Sequence, residues 1–100
     1  MSEYGNDALI SGSIEVSGSS TFNEGSLDAD FRVESDGNTH MLYVDAGNNK
    51  VGIGTDAPDY ELDVAGNIGV DQYIYHNGDA DTLINFANDK IVLKAGNRAM

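Results

Sequence analysis

Residues 51–68 read Val51-Gly52-Ile53-Gly54-Thr55-Asp56-Ala57-Pro58-Asp59-Tyr60-Glu61-Leu62-Asp63-Val64-Ala65-Gly66-Asn67-Ile68. Apolar residues alternate with glycine, a proline-centred connection follows, and Leu62-Asp63-Val64 alternates again before an Ala65-Gly66-Asn67 turn. A period of two is the signature of a strand with distinct faces. Pro58 has no N–H to offer a ladder, so it belongs to the connection between two strands. Gly52 and Gly54 strip one face of the first strand of side chains. One reading is close approach by another chain's backbone, with Val51 and Ile53 facing a shared axis. The other is a bulge or bend within the chain.

The same period extends outward in both directions. Ile14-Glu15-Val16, Phe31-Arg32-Val33, Leu42-Tyr43-Val44 and Ile68-Gly69-Val70 alternate. Tyr73-Ile74-Tyr75, Leu83-Ile84-Asn85-Phe86 and Ile91-Val92-Leu93 read as strands with apolar character on both faces. Between them stand Ser17-Gly18-Ser19, Asp36-Gly37-Asn38, Ala46-Gly47-Asn48-Asn49 and Asn77-Gly78-Asp79, residues suited to turns that need positive φ. Asp36-Gly37 and Asn77-Gly78 are the best hairpin candidates. Short strands at this spacing predict an all-β fold. Gly12-Ser13-Ile14-Glu15-Val16 echoes Gly66-Asn67-Ile68-Gly69-Val70, which suggests a repeated unit.

One hundred residues allow one domain. A chain of 10.6 kDa is expected to expose roughly 5,500 Å² when folded, from about 15,400 Å² unfolded. Isoleucine, leucine, valine and phenylalanine supply 23 residues for a core, and there is no cysteine. So thin a core predicts that strands of one chain are covered by those of another. The net charge of −12 argues against nucleic acid and anionic membranes as partners. Absence of cysteine excludes a disulfide scaffold, cysteine-based zinc and thiol catalysis. Met1 to Ile10 has neither a basic start nor an apolar run, so no signal peptide is expected. No stretch reaches transmembrane length. Residues 1–31 hold Glu3, Asp7, Glu15, Glu24, Asp28 and Asp30 with no base, whereas Lys90, Lys94 and Arg98 follow Asp89 with no acid.

The run from Val51 to Ile68 resembles the repeat modules of bacteriophage tail-fibre and tailspike-like appendage proteins. Phe31-Arg32-Val33, Tyr43-Val44-Asp45 and Lys50-Val51-Gly52-Ile53-Gly54-Thr55 follow the order seen in such fibres, and Tyr73-Ile74, Phe86, Asp89-Lys90-Ile91 and Ala95-Gly96-Asn97 look like the strand pair that commonly follows. The resemblance implies short strands and tight turns in an intertwined homotrimeric β-shaft, or a triple-stranded β-helix-like fibre. It further implies a virion appendage or extracellular location. Many members close with a helix-rich, self-cleaving chaperone domain; no such segment precedes Met100, so self-cleavage is not expected. The chain is either a piece of a shaft or a short protein built on its module. Residues 1–30 would form an acidic, Ser/Gly-rich set of N-terminal strands or an arm, and residues 31–100 the fibre-type module.

Few residues suggest chemistry. Asp28/Asp30 and Asp79/Asp81 are i, i+2 carboxylate pairs, able to bind Ca²⁺ or do acid–base work, or simply to face solvent. The metal candidates are Asp79, Asp81 and His76; an imidazole from each copy at His40 or His76 could also ring a threefold axis. No nucleophile stands in an activated context. Tyr43, Tyr60, Tyr73 and Tyr75 could contact sugars, with Tyr73 and Tyr75 the candidate glycan contacts, or could cover a neighbouring strand edge. The expected function is a non-enzymatic structural subunit or segment of a trimeric phage tail fibre, involved in host-surface attachment. Val51, Ile53, Leu62, Val64 and Ile68 would form its intersubunit core and a bacterial surface glycan is its candidate ligand. Two alternatives stand beside it: a subunit that polymerises head-to-tail into an extracellular filament, and a calcium-dependent glycan-binding or glycan-processing module.

Overall fold

A computed structural model describes residues 8–96, 98 and 99. Glu3 and Asp7 of the acidic segment, and Asn97 of the Ala95-Gly96-Asn97 turn, lie outside them. The described residues are all-β, without a helix: β1 (Phe31–Val33), β2 (Leu42–Asp45), β3 (Lys50–Ile53), β4 (Leu62–Val64), β5 (Tyr73–His76), β6 (Asp79–Ala87), β7 (Lys90–Ala95) and β8 (Arg98–Ala99). They form two four-stranded sheets, each ordered as in the sequence: β1-β2-β3-β4 and β5-β6-β7-β8. The chain divides into two compact units, Met1–Asp63 and Val64–Met100, with the boundary inside β4.

In the first sheet the register pairs Phe31 with Val44, Val33 with Leu42, Val44 with Val51 and Leu42 with Ile53. Directly opposed residues share a face. One face therefore carries Phe31, Val33, Leu42, Val44, Val51 and Ile53, all apolar. The other carries Arg32, Tyr43, Asp45, Lys50 and Gly52. The β2–β3 hairpin closes over Ala46–Asn49, where Asn49 takes φ 58° and Asn48 donates to the Asp45 carboxylate at 3.0 Å. Asp36-Gly37 does not form a tight hairpin. It lies in the longer connection of residues 34–41, closed by the Ser35 N–H on the Asn38 carbonyl at 2.9 Å.

The connection after β3 explains both glycines of the Val-Gly-Ile-Gly run. At Gly52 an added Cβ would stand 2.5 Å from the Thr55 carbonyl oxygen. Gly54 turns the chain at φ 79°, and its N–H is shared between the His40 and Met41 carbonyls at 3.1 Å each. The backbone admitted by Gly52 thus comes from the same chain, and Gly54 is the bend. Thr55 Oγ1 then accepts from the Ala57 N–H, Pro58 is buried, and the Asp63 carboxylate accepts from the Asp59 N–H at 2.9 Å. The Val51 N–H on the Glu61 carbonyl, at 2.8 Å, brings the chain back to β3.

In the second sheet Ile74 pairs with Ile84, Ile84 with Leu93, and Phe86 with Ile91. These five apolar residues share one face. Tyr73, Tyr75, Leu83, Asn85, Val92 and Lys94 occupy the other. Asn77-Gly78 forms the expected β5–β6 turn, with Gly78 at φ 81° and His76 opposite Asp79. The register then shifts, so that Tyr75 opposes Leu83 rather than Ala80. Thr82 pins the extra residues: its hydroxyl donates to the Asp79 carboxylate and accepts from the Gly96 N–H, both at 3.0 Å.

Two expected strands are absent. Ile14–Val16 and Ile68–Val70 alternate but lie in no ladder. Alternation gives a segment two faces without supplying the partner strand that a ladder needs. Among the described residues before Phe31 there is no strand. Residues 23–29 instead form a tight loop in which the Asn23 side chain donates to the Leu27 carbonyl and accepts from the Leu27 N–H. Phe22 stacks on Phe31 with ring centroids 4.8 Å apart.

Candidate functional site

No aliphatic or aromatic side chain among the described residues is buried. A face of six apolar side chains across β1, β2 and β3, with none of them buried, is the most unusual physical feature here, because such faces normally pack against a second layer. In the first unit Phe22 and the 23–29 loop border this face beside β1. There a groove of 510 Å³ is lined by Phe22, Leu27, Phe31, Val44 and Val51, among others. Of the residues expected to form an intersubunit core, the structure brings Val51 and Ile53 together on this face, half-buried. Val64 is half-buried in β4, Leu62 is 63% exposed, and Ile68 is 68% exposed outside any strand. Sequence reading missed Phe31, Val33, Leu42 and Val44 as members of the same face. Their alternation was visible, but not the register that places them beside Val51 and Ile53.

The first acidic pair is structural. Asp30 accepts from the Tyr43 hydroxyl at 2.7 Å and from the Ala46 N–H at 2.8 Å, tying the approach to β1 onto the β2–β3 hairpin. The Asp28 carboxylate lies over the Gly47 backbone. Tyr43 also meets the His40 ring edge-on, with centroids 4.9 Å apart. The Tyr43 hydrogen bond, then that of Ala46, holds the Asp30 pKa below its ordinary 3.8. Seen from the other end, the bond to Asp30 pushes the Tyr43 phenol from 10.0 up to about 12. The signs follow from linkage. The Asp30 contribution to stability is present above pH 3.8 and lost as pH falls through its lowered folded value. The Tyr43 contribution is complete below pH 10.0 and lost as pH rises through about 12. A spectrophotometric titration should therefore show one phenol ionising near 12 that returns toward 10.0 in Asp30→Asn. An unchanged curve would mean that the bond does not persist in solution.

The second acidic pair is divided. The Asp79 carboxylate receives the Thr82 hydroxyl and lies 3.7 Å from His76 Nδ1. Among the described residues no three His, Asp or Glu side chains converge in a way that could hold a metal ion. Asp79 holds the register shift of β6 in place, and Asp81 does not join it.

The tyrosines expected to contact a glycan do come together. Tyr73 and Tyr75 lie on the mixed face of the second sheet, ring centroids 5.2 Å apart and tilted by 36°. They line one wall of a 320 Å³ cleft, with Ala80, Leu83, Asn85 and Lys94 completing it. Asn85 Oδ1 is occluded and has no hydrogen-bond partner. Asn85 and Lys94 were not foreseen, because only the shifted register brings them to the tyrosine face. In comparisons with protein-family models, curated proteins and solved structures, nothing matches this chain.

Proposed function

We propose that this chain is a structural, non-enzymatic segment of a homotrimeric fibre of the phage-tail type, serving attachment to a host surface. One observation carries the reading. Each sheet gathers apolar side chains on one face, with Arg98 beside Ala95 at the edge of the second, yet no aliphatic or aromatic side chain among the described residues is buried. Burial of apolar surface is the main favourable term in folding, so faces of this kind call for partners, and identical copies offer identical faces. Physics asks for more than one copy. The order three, and the virion location, come from the resemblance of Val51–Ile68 to fibre modules.

Light scattering coupled to size exclusion tests the reading at micromolar concentration. The expected mass is three times the 10.6 kDa of one chain. A well-folded monomer would overturn it. End-to-end stacking of such trimers into a filament is a second reading, favoured by charge. Glu15, Glu24, Asp28 and Asp30 precede the first sheet without a base until Arg32, whereas Lys90, Lys94 and Arg98 lie on β7 and β8. Opposite charges on separate segments favour head-to-tail contact. Salt-sensitive filaments in electron micrographs would support stacking, and discrete short particles at every ionic strength would exclude it.

A further inference from the structure

We infer that the cleft between Tyr73, Tyr75, Asn85 and Lys94 is a binding site for an acidic sugar, a hexuronate residue of a polysaccharide. The two faces of this sheet differ in kind. Ile74, Ile84, Phe86, Ile91 and Leu93 make one face mainly apolar, with Arg98 at its edge, and it gains by being covered. The opposite face mixes phenols, an amide and an amine with apolar side chains, which is the composition of a surface that works in water. The cleft therefore stays open when the apolar face is covered, and it can bind whether the protein has one copy or three.

Three features of the cleft specify the ligand. Tyr73 and Tyr75 stand two residues apart on one strand, so their rings form an aromatic platform of two neighbouring planes tilted by 36°. Such a platform suits the C–H face of a pyranose, with phenol hydroxyls at its rim for the ring's hydroxyl groups. Asn85 also lines the cleft, and a side-chain amide can both donate to and accept from the hydroxyl groups of a sugar. Lys94 is half-buried and has no carboxylate within ion-pair distance among the described residues, in a chain of net charge −12. An ammonium left free among so many acids is matched by an anion from outside. Lys90, two positions before Val92 on the same face, adds to the local positive potential. A ring with C–H faces, hydroxyl groups and one carboxylate meets all three demands. A volume of 320 Å³ lies at the small end of ligand sites and suits one sugar ring with its neighbours outside.

The test uses the whole protein and oligomers of glucuronate and galacturonate, with cellotetraose and inorganic phosphate as comparisons. Binding is followed by backbone amide shifts in NMR and by calorimetry. Uronate oligomers are expected to perturb Tyr73, Tyr75, Asn85 and Lys94 together, and to bind at least about tenfold more tightly than cellotetraose. Lys94→Gln should remove that preference while leaving the neutral oligomer's affinity in place. Tyr75→Leu should weaken both. Equal affinity for uronate and cellotetraose, phosphate binding as tight as uronate binding, or shifts away from the cleft would each overturn the inference. Lys94→Gln leaves the apolar faces intact, so the mass measurement of the preceding section is unaffected by it. A monomer that binds uronate, or a trimer that does not, separates the fate of the two proposals.

Discussion

Gly52→Ala is expected to destabilise the first unit by about 3 kcal/mol, toward the upper end of the range for overpacking a tight site. The new methyl would stand 2.5 Å from the Thr55 carbonyl oxygen and 3.0 Å from its Cγ2. The nearer atom is backbone, so no rotamer change relieves the contact. Thr55 is itself held in place, since the Gly54 N–H before it bonds the His40 and Met41 carbonyls and the Thr55 side chain caps Ala57. Relief therefore requires moving the turn away from β3, which strains the bonds on both sides. A domain of this size has a total stability of roughly 5–15 kcal/mol, so the substitution removes a large part of it. Urea unfolding followed by circular dichroism reads the effect as a fall in midpoint. Gly37→Ala is the control. It lies in the β1–β2 connection of the same unit, with nothing within 4 Å of its added Cβ, and should change the midpoint little. Equal midpoints for Gly52→Ala and the control would show that Thr55 does not close over β3 in solution.

This result bears on how far a repeat motif can be read. Glycine at alternate positions of a strand promises a close approach, and residues 51–54 keep that promise. What alternation leaves open is which backbone approaches. Proximity within the chain settles it, since Thr55 is three residues from Gly52 and reaches it through the turn at Gly54. The strands over Phe31–Val33, Leu42–Val44, Val51–Ile53, Leu62–Val64, Tyr73–Tyr75, Leu83–Phe86 and Ile91–Leu93 were legible because β-branched and aromatic residues alternate there between turn residues. Ile14–Val16 and Ile68–Val70 share the alternation without the partner.

Register was the larger gap. A tight Asn77-Gly78 turn, continued without interruption, opposes Tyr75 to Ala80 and Tyr73 to Thr82. That pairing would put Asp81 on the face of Ile74. The observed shift pairs Ile74 with Ile84 instead, which restores an apolar face and sends Leu83 and Asn85 to the tyrosines. The shifted register gathers the apolar side chains on one face, and the cleft is a consequence of it. The sequence contains its residues but not their juxtaposition, because the shift depends on Thr82 bonding Asp79 and Gly96 across the sheet.

Val44→Lys should dissociate the proposed trimer. Val44 occupies the middle strand of its face, between Phe31 on β1 and Val51 on β3. In the single chain it is 37% exposed, so a lysine there can reach water along its flexible stem without disturbing the chain's own contacts. In an assembly that covers the face, the same ammonium is buried without a partner. Each uncompensated buried charge costs about 3–5 kcal/mol, and threefold symmetry repeats the cost in every copy. The association free energy then falls by roughly 10 kcal/mol, about seven powers of ten in the equilibrium constant. Arg32→Gln is the control from the opposite face. Its ion pair with Glu34, at 3.2 Å, is exposed on both sides, so removing it should alter neither mass nor stability appreciably. Light scattering reports the mass, and circular dichroism reports whether the strands persist. A Val44→Lys protein that keeps the parent's oligomeric mass would place the subunit contact elsewhere and remove the apolar face of β1, β2 and β3 as its origin.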